Sequence, residues 1–128
     1  MDHNHTESYR RSFKTVTEHI ERHLDDDLSL ERLSAVAHFS PFHFHRQFAA
    51  YCGVPLGRYI QLLRLKQASY RLAFAPLDKL SDIAVDAGFQ HGESFSRAFK
   101  QTFGLTPSQF RHHPDWASWH SCLPRPPT

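Results

Sequence analysis

The chain has 128 residues, of which 40% are hydrophobic and 22% charged, and its formal net charge at pH 7 is +2. This length allows one domain or two very small ones. The polar residues 1–7 lack the apolar stretch of a signal peptide and nothing approaches a membrane span, so we expect a soluble, cytoplasmic protein. Two cysteines, Cys52 and Cys122, do not make a disulfide framework, and Cys52 is expected to be a buried thiol.

The first predicted helix begins at Ser8, whose side chain can serve as its N-cap. Its apolar residues fall on a single stripe: Tyr9, Phe13, Val16, Ile20 and Leu24. We expect this helix to brace the segment that follows it. The three aspartates at 25–27 end the helix and are interpreted as a solvated connection rather than a metal site.

A pair of short helices with a tight turn between them, a helix-turn-helix, is predicted at about 29–53. Ser29 caps the first helix, residues 38–40 form the turn, and Pro41 opens the second helix. That second helix, 41–52, is predicted to bury three aromatic side chains: Phe44, Phe48 and Tyr51. Its other sides carry Phe42, His45, Arg46 and Ala49.

One long connector helix is predicted from about 55 to 75, because Gly57 is the only helix breaker in that stretch. At a rise of 1.5 Å per residue it spans about 30 Å. That length is close to the roughly 34 Å that separates successive major-groove segments on one face of DNA.

A second helix-turn-helix is predicted at about 80–104. Phe95, Phe99 and Phe103 recur every four residues and can line one side of a helix, while a different side carries Glu93 and Arg97. The helix is expected to end at a glycine, residue 104, and a final helix starts at 107, with a threonine as its cap and a proline at its first position.

The two motifs repeat one another at an offset of 50 residues before the turn and 51 after it. The outward Arg46 matches the outward Arg97, a correspondence that packing does not require. The sequence therefore predicts an all-α fold of about seven helices, in which residues 8–112 form two helix-turn-helix subdomains joined by the connector. Residues 113–128, with several prolines and no helical stripe, are predicted to be a linker or tail.

Charge is distributed unevenly along the chain. Residues 1–31 carry four Lys/Arg against eight Asp/Glu, a balance of −4, while the remainder carries eleven against five, a balance of +6. No acidic residue lies between Arg32 and Leu77. Such a field favours the phosphate backbone of a nucleic acid, although basic stretches are often only solvated faces.

Three segments carry a family resemblance: LSAVAHFSPFHFHRQFAAYCGVPLGRYI, RLKQASYRL and IAVDAGFQHGESFSRAFKQTFGLTPSQFR. They resemble the DNA-binding domain of the AraC/XylS family of bacterial transcription regulators, over roughly Ser8 to Arg111. The resemblance implies two recognition helices in adjacent major-groove segments of double-stranded DNA. It also implies contact with RNA polymerase, activation of transcription and a location in the cytoplasm at the nucleoid. Because one chain could occupy two successive groove segments, no dimer is required and we expect a monomer on DNA.

Two branches of that family are similar to this chain. In one, a GyrI-like small-molecule-binding domain follows an N-terminal DNA-binding domain, which would supply an effector site beyond the residues present. The other contains the multidrug-resistance activators MarA, SoxS and Rob. If the 128 residues are the whole protein, it resembles the stand-alone activators, and we expect Trp116 and Trp119 to pack on the domain.

The family's base-reading positions fall on seven residues of this chain. In the first recognition helix they are Phe42, His45 and Arg46, and in the second they are Gly92, Glu93, Ser94 and Arg97. Arginine can bind guanine through two hydrogen bonds, and a glutamate can accept one from cytosine. Glycine at 92 departs from the longer polar side chain of MarA, SoxS and Rob.

Several roles stay open at this stage. Phe42 either folds back on the domain surface as a staple or contacts thymine methyl groups. Glu93 either contacts cytosine or orients Arg97, which lies four residues later. Arg58 and Arg64 are candidates for phosphate contacts, as are the backbone amides at the starts of the helices that follow Gly53 and Gly104.

Two other classes of function fit the sequence less well. Eleven histidines suggest a metal-binding module, but His43 and His45 are two apart and point about 200° away from each other on a helix, so they cannot share an ion. We see no acid/base pair, activated nucleophile or phosphate loop, so we expect no enzyme, metal or cofactor. A purely protein-binding helical module remains, and salt-dependent binding to duplex DNA would separate it from a regulator.

Overall fold

A computed structural model of the protein describes residues 2–121, with side chains from Ser8 onward. Every regular element in that part is a helix, which confirms the all-α prediction, and there are eight helices rather than about seven. Their bounds are α1 Asp2–Arg22, α2 Leu30–Ala37, α3 Pro41–Cys52, α4 Leu56–Phe74, α5 Leu80–Asp86, α6 Gly92–Phe103, α7 Pro107–His112 and α8 Trp116–Ser121. Among these residues no helix has both the length and the apolar character to cross a bilayer.

Two predicted boundaries are wrong. Helix α1 begins at Asp2, so Ser8 lies exposed inside it instead of capping it. The predicted linker contains α8, whose Trp119 is buried, as expected for a tryptophan that packs on the domain. Residues 122–128, including Cys122, lie outside the described residues.

Contacts divide the chain into two compact units, one running to Ile60 and the other beginning at Gln61. In the first unit α1 braces the helix pair α2–α3, as predicted. The Phe13 ring centroid lies 5.8 Å from that of Phe44 and 5.3 Å from that of Tyr51. The Phe48 ring in turn meets Tyr59 edge-on at 5.3 Å. An aromatic cluster therefore holds the first helix-turn-helix.

Cys52, the last residue of α3, is buried, as predicted. Burial raises the pKa of its thiol to about 12, because the thiolate would lose its hydration. The reactive thiolate is thus suppressed at neutral pH.

The second unit is built around the phenylalanines of α6. They pack with residues of α4, α5, α7 and α8 in one buried cluster: Leu65, Ala68, Leu72, Ile83, Ala84, Ala87, Phe95, Phe99, Phe103, Phe110 and Trp119. Leu80, the first residue of α5, is 37% exposed.

Polar contacts also tie helices of the second unit together. The indole N–H of Trp119 donates to Ser69 Oγ at 2.8 Å within the core. Arg111 donates to the carbonyl oxygens of Leu72 and Ala75, at 3.2 and 3.1 Å, at and just after the C-terminal end of α4. These contacts join the end of the chain's described part to the connector helix α4.

Candidate nucleic-acid interface

Helix α3 starts and stops where its sequence dictates. The side chain of Ser40 accepts a hydrogen bond from the His43 amide at 3.3 Å, and Pro41 follows at a position where its missing N–H costs nothing. At the other end Gly53 takes a left-handed conformation, φ 80°, and its amide donates to Ala49. These caps fix where α3 begins and ends, and the spacing of Phe44 and Phe48 determines which side is buried.

The exposed side of α3 carries the three residues predicted to read bases. Phe42 is 73% exposed, so the staple interpretation is wrong. The guanidinium carbon of Arg46 lies 5.8 Å from the centroid of the Phe42 ring, within the range of a cation–π contact. His45 is also exposed, whereas His43 is hydrogen-bonded to the Tyr9 hydroxyl at 2.9 Å.

Helix α6 presents the corresponding face in the second unit. Gly92, Glu93, Ser94 and Arg97 are all exposed, opposite the buried phenylalanines. In the described part of the chain no ion pair joins Glu93 to Arg97, which removes support from the idea that this carboxylate orients the arginine.

A shallow cavity of about 640 Å³ lies against the start of α6. Its lining consists of Leu80, Ser81, Gly92, Glu93, Phe95, Ser96, Arg97 and Pro107. Three of the four predicted base-reading residues of α6 therefore border one concave surface.

The turns before the two recognition helices differ in their residues but share a backbone feature. His38 is in the left-handed region with φ 63°, and Gly88, its counterpart in the repeat, has φ 91°. Histidine tolerates this conformation less well than glycine does, because its Cβ approaches the backbone. Both motifs thus need the same reversal of the chain at the same place.

The basic residues of α4 have different surroundings. Arg58 is exposed, but Arg64 is half-buried, and a Cβ on Gly88 would lie 3.5 Å from its guanidinium nitrogen. Arg71 forms ion pairs with Asp78 and Asp86. Arg71 lies in the stretch from Arg32 to Leu77 that has no acidic residue, and counting charges there does not reveal either partner, although Asp78 lies only seven residues from it.

No group of three or more metal-binding side chains occurs among residues 8–121. His19 and His23 form a stacked pair, with ring centroids 4.2 Å apart. Burial and the neighbouring imidazole of His23 lower the pKa of His19, which favours its neutral form.

Two helix pairs, each with a buried aromatic side and an exposed arginine, define a protein of the helix-turn-helix class. A family model described as a helix-turn-helix domain matches residues 33–113. The regulatory protein SoxS of Salmonella typhimurium is 31% identical over 105 residues, which cover 82% of this chain and 97% of SoxS. The chain belongs to the AraC/XylS family of DNA-binding transcription regulators.

Other relatives agree with this assignment. The right origin-binding protein of Escherichia coli K12 is 36% identical over 100 residues, but the chain spans only 34% of its length. A solved regulator from Chromobacterium violaceum, with an AraC-type DNA-binding domain, shares the fold with a TM-score of 0.73 at 23% identity, covering 82% of this chain and 96% of that one. A probable AraC family regulator from Rhodopseudomonas palustris also shares the fold, with a TM-score of 0.71 at 22% identity. The match covers 89% of this chain and 99% of that one.

Proposed function

We propose that the chain reads double-stranded DNA at two places, by inserting α3 and α6 into successive major-groove segments. The observation that carries the proposal is the repeated surface: each 12-residue helix buries phenylalanines on one side and exposes a guanidinium, Arg46 or Arg97, on another. An α-helix fits the major groove, where each base pair presents a distinct pattern of donors and acceptors.

Each exposed residue has a chemical role in this reading. Arg46 and Arg97 bind guanine through paired hydrogen bonds, and Glu93 accepts from the amino group of cytosine. Phe42 contacts thymine methyl groups. His45, Gly92 and Ser94 complete the two base-facing surfaces.

Contacts to the phosphate backbone would hold the two helices in register. Arg58 is the exposed candidate for this role, and Arg64 is a second one, although its guanidinium lies beside Gly88. The amides at the start of α4, after Gly53, could bind a phosphate because their N–H groups have no partner within the helix.

The names of the relatives support a role in transcription regulation. SoxS is named a regulatory protein, the Salmonella relative Rob, 35% identical over 100 residues, is named a transcriptional regulator, and the DNA-binding domain of AdpA was solved on a target DNA. We infer a transcription activator of the bacterial cytoplasm that binds its site as a monomer and contacts RNA polymerase. An effector would act through a further domain, and we assign no catalytic role to the described residues.

Selection of bound duplexes from a random library tests the proposal. We expect one enriched sequence with two clusters of fixed bases about one helical turn apart, and an affinity that falls steeply with salt. An absence of enrichment, with weak binding that depends only on salt, would instead favour a protein-binding module.

Separate substitutions assign each cluster to its helix. Arg46→Ala and Arg97→Ala should each cost about 1–3 kcal/mol on the selected site, and each should relax base choice in a different cluster. Arg22→Ala is a matched control, because that side chain is 73% exposed and pairs only loosely with Glu18, at 3.6 Å. Equal losses on all sequences would show that the two arginines serve phosphates alone.

A further inference from the structure

Helix α5 is too short to be stable by itself. It has seven residues, and its N-cap residue Lys79 makes no side-chain capping hydrogen bond. Isolated helices of this length do not repay the cost of nucleation, so contacts from outside the helix must hold it. The orientation of α5 matters because the turn from Ala87 to His91, from which α6 starts, follows it directly.

One guanidinium contacts both ends of this helix. Nε and Nη2 of Arg71 lie 3.0 and 2.9 Å from Oδ2 of Asp78, which precedes α5, and Nη1 lies 2.6 Å from Oδ2 of Asp86, its last residue. The Arg71 side chain is 30% exposed, that of Asp78 is 39% exposed and that of Asp86 is 61% exposed. Partial burial weakens solvent screening of the contact with Asp78, and the planar fork of arginine directs its donors to fixed positions toward both carboxylates.

We propose that Arg71 is a positioning residue for the second recognition helix. By bridging Asp78 and Asp86 it fixes both ends of α5, and through the turn at Gly88 it fixes the direction in which α6 presents Arg97. This role rests on the proposed DNA reading, and it means that Arg71 does not itself contact a phosphate.

The salt dependence of DNA binding separates positioning from phosphate contact. With Arg71→Ala we expect affinity for the selected site to fall about tenfold and base discrimination to weaken in the α6 cluster only, since losing one base contact lowers affinity by about tenfold or more. The slope of log affinity against log salt should stay unchanged. A direct phosphate contact would instead reduce that slope by about 1 and leave base discrimination intact, which would overturn the proposal.

A double-mutant cycle tests the partner. Asp86→Asn should reproduce the loss of base discrimination in the α6 cluster. This is a strict test, because the loss of a negative charge would by itself strengthen binding to the DNA phosphates. Combined with Arg71→Ala, Asp86→Asn should add little, because both changes break the same bridge. Additive effects, or an Asp86→Asn variant that binds its site more tightly with full discrimination, would contradict positioning. Arg71→Lys keeps the positive charge but lacks the planar guanidinium that can contact two carboxylates. It replaces Arg71→Ala in these experiments if the alanine variant does not fold.

Hydrogen exchange in the free protein gives a readout that does not depend on DNA. Amides of α5 should exchange about tenfold faster in Arg71→Ala or Arg71→Lys, while those of α2 in the first unit stay unchanged. If hydrogen exchange in α5 is unchanged in these variants, Arg71 does not position α5, even if the variants bind DNA less tightly. The two proposals can also fail separately. If α5 exchanges faster in the Arg71 variants but the unsubstituted protein selects no DNA sequence, Arg71 positions α5 and the proposed DNA-reading function is wrong.

Discussion

The two helix-turn-helix motifs carry the same kind of exposed face on different supports. In the first, α3 is held by aromatic contacts from α1, chiefly through Phe13. In the second, the aromatic core of α6 is supplemented by charged and polar contacts, among them the Arg71 bridge and the bond from Trp119 to Ser69. The two motifs therefore repeat both the exposed face and the buried phenylalanines behind it, but they differ in the neighbouring contacts that support them.

This difference has a consequence for stability. Burial of aromatic rings depends little on ionic strength, whereas exposed and half-buried ion pairs weaken as salt rises. The second motif is accordingly the one whose local order should respond to salt.

The largest expected effect comes from the aromatic support of the first motif. Phe13→Ala should lower the free energy of unfolding by about 3–5 kcal/mol, because it empties a fully buried position between α1 and α3. Urea denaturation measures the loss. Phe42→Ala is the control, since that ring is mostly exposed and its removal should change stability by under about 0.5 kcal/mol. Similar losses in both variants would refute the bracing role of α1.

An intermediate effect is expected from the polar bond in the second core. Ser69→Ala should destabilise the protein by about 1–3 kcal/mol, because the buried indole N–H of Trp119 is left without an acceptor. Removing both partners, with Trp119→Phe in the Ser69→Ala background, should cost less than the two single losses added together. Ser121→Ala, at an exposed position of α8, is the control for thermal unfolding. A neutral Ser69→Ala would show that the bond contributes nothing.

The smallest effects concern the starts of the recognition helices. Ser40→Ala should cost about 1 kcal/mol, since it removes the cap of α3. His91, which occupies the N-cap position of α6, makes no side-chain capping bond. His91→Ser should therefore raise stability by about 0.5–1 kcal/mol. Chemical denaturation without DNA checks both changes, and a loss on His91→Ser would mean that the imidazole already stabilises that end.

Local signals predicted most of the fold. Helix caps act through atoms only a few residues away, so they can be read from the sequence. The structure confirms the predicted caps at Ser29, Ser40 and Thr106 and the helix-ending glycines at 53 and 104. The burial of Phe95, Phe99 and Phe103 also follows from spacing alone. The exposed faces of α3 and α6 follow from the same periodicity, whereas their contacts with DNA stay predictions.

Two features that the sequence did not predict, helix α8 and the Arg71 bridge, involve contacts between residues distant in the sequence. Helix α8 has six residues and no apolar period, and it is fixed by a bond from Trp119 to a serine 50 residues earlier. The bridge from Arg71 to Asp86 spans 15 residues and cannot be inferred from charge counts. Composition identified a basic segment, but only the fold shows which of its charges are already neutralised.

The stacked aromatic rings of the second unit also determine what spectroscopy can observe. Both tryptophans of the chain, Trp116 and Trp119, lie there with ring centroids 5.2 Å apart. The first unit has only tyrosines as emitters, at positions 9, 51 and 59. Excitation at the red edge of indole absorption excites tryptophan but not tyrosine. The emission therefore reports the second unit and carries no signal from the first. Any disagreement between that signal and circular dichroism measures how independently the two units melt.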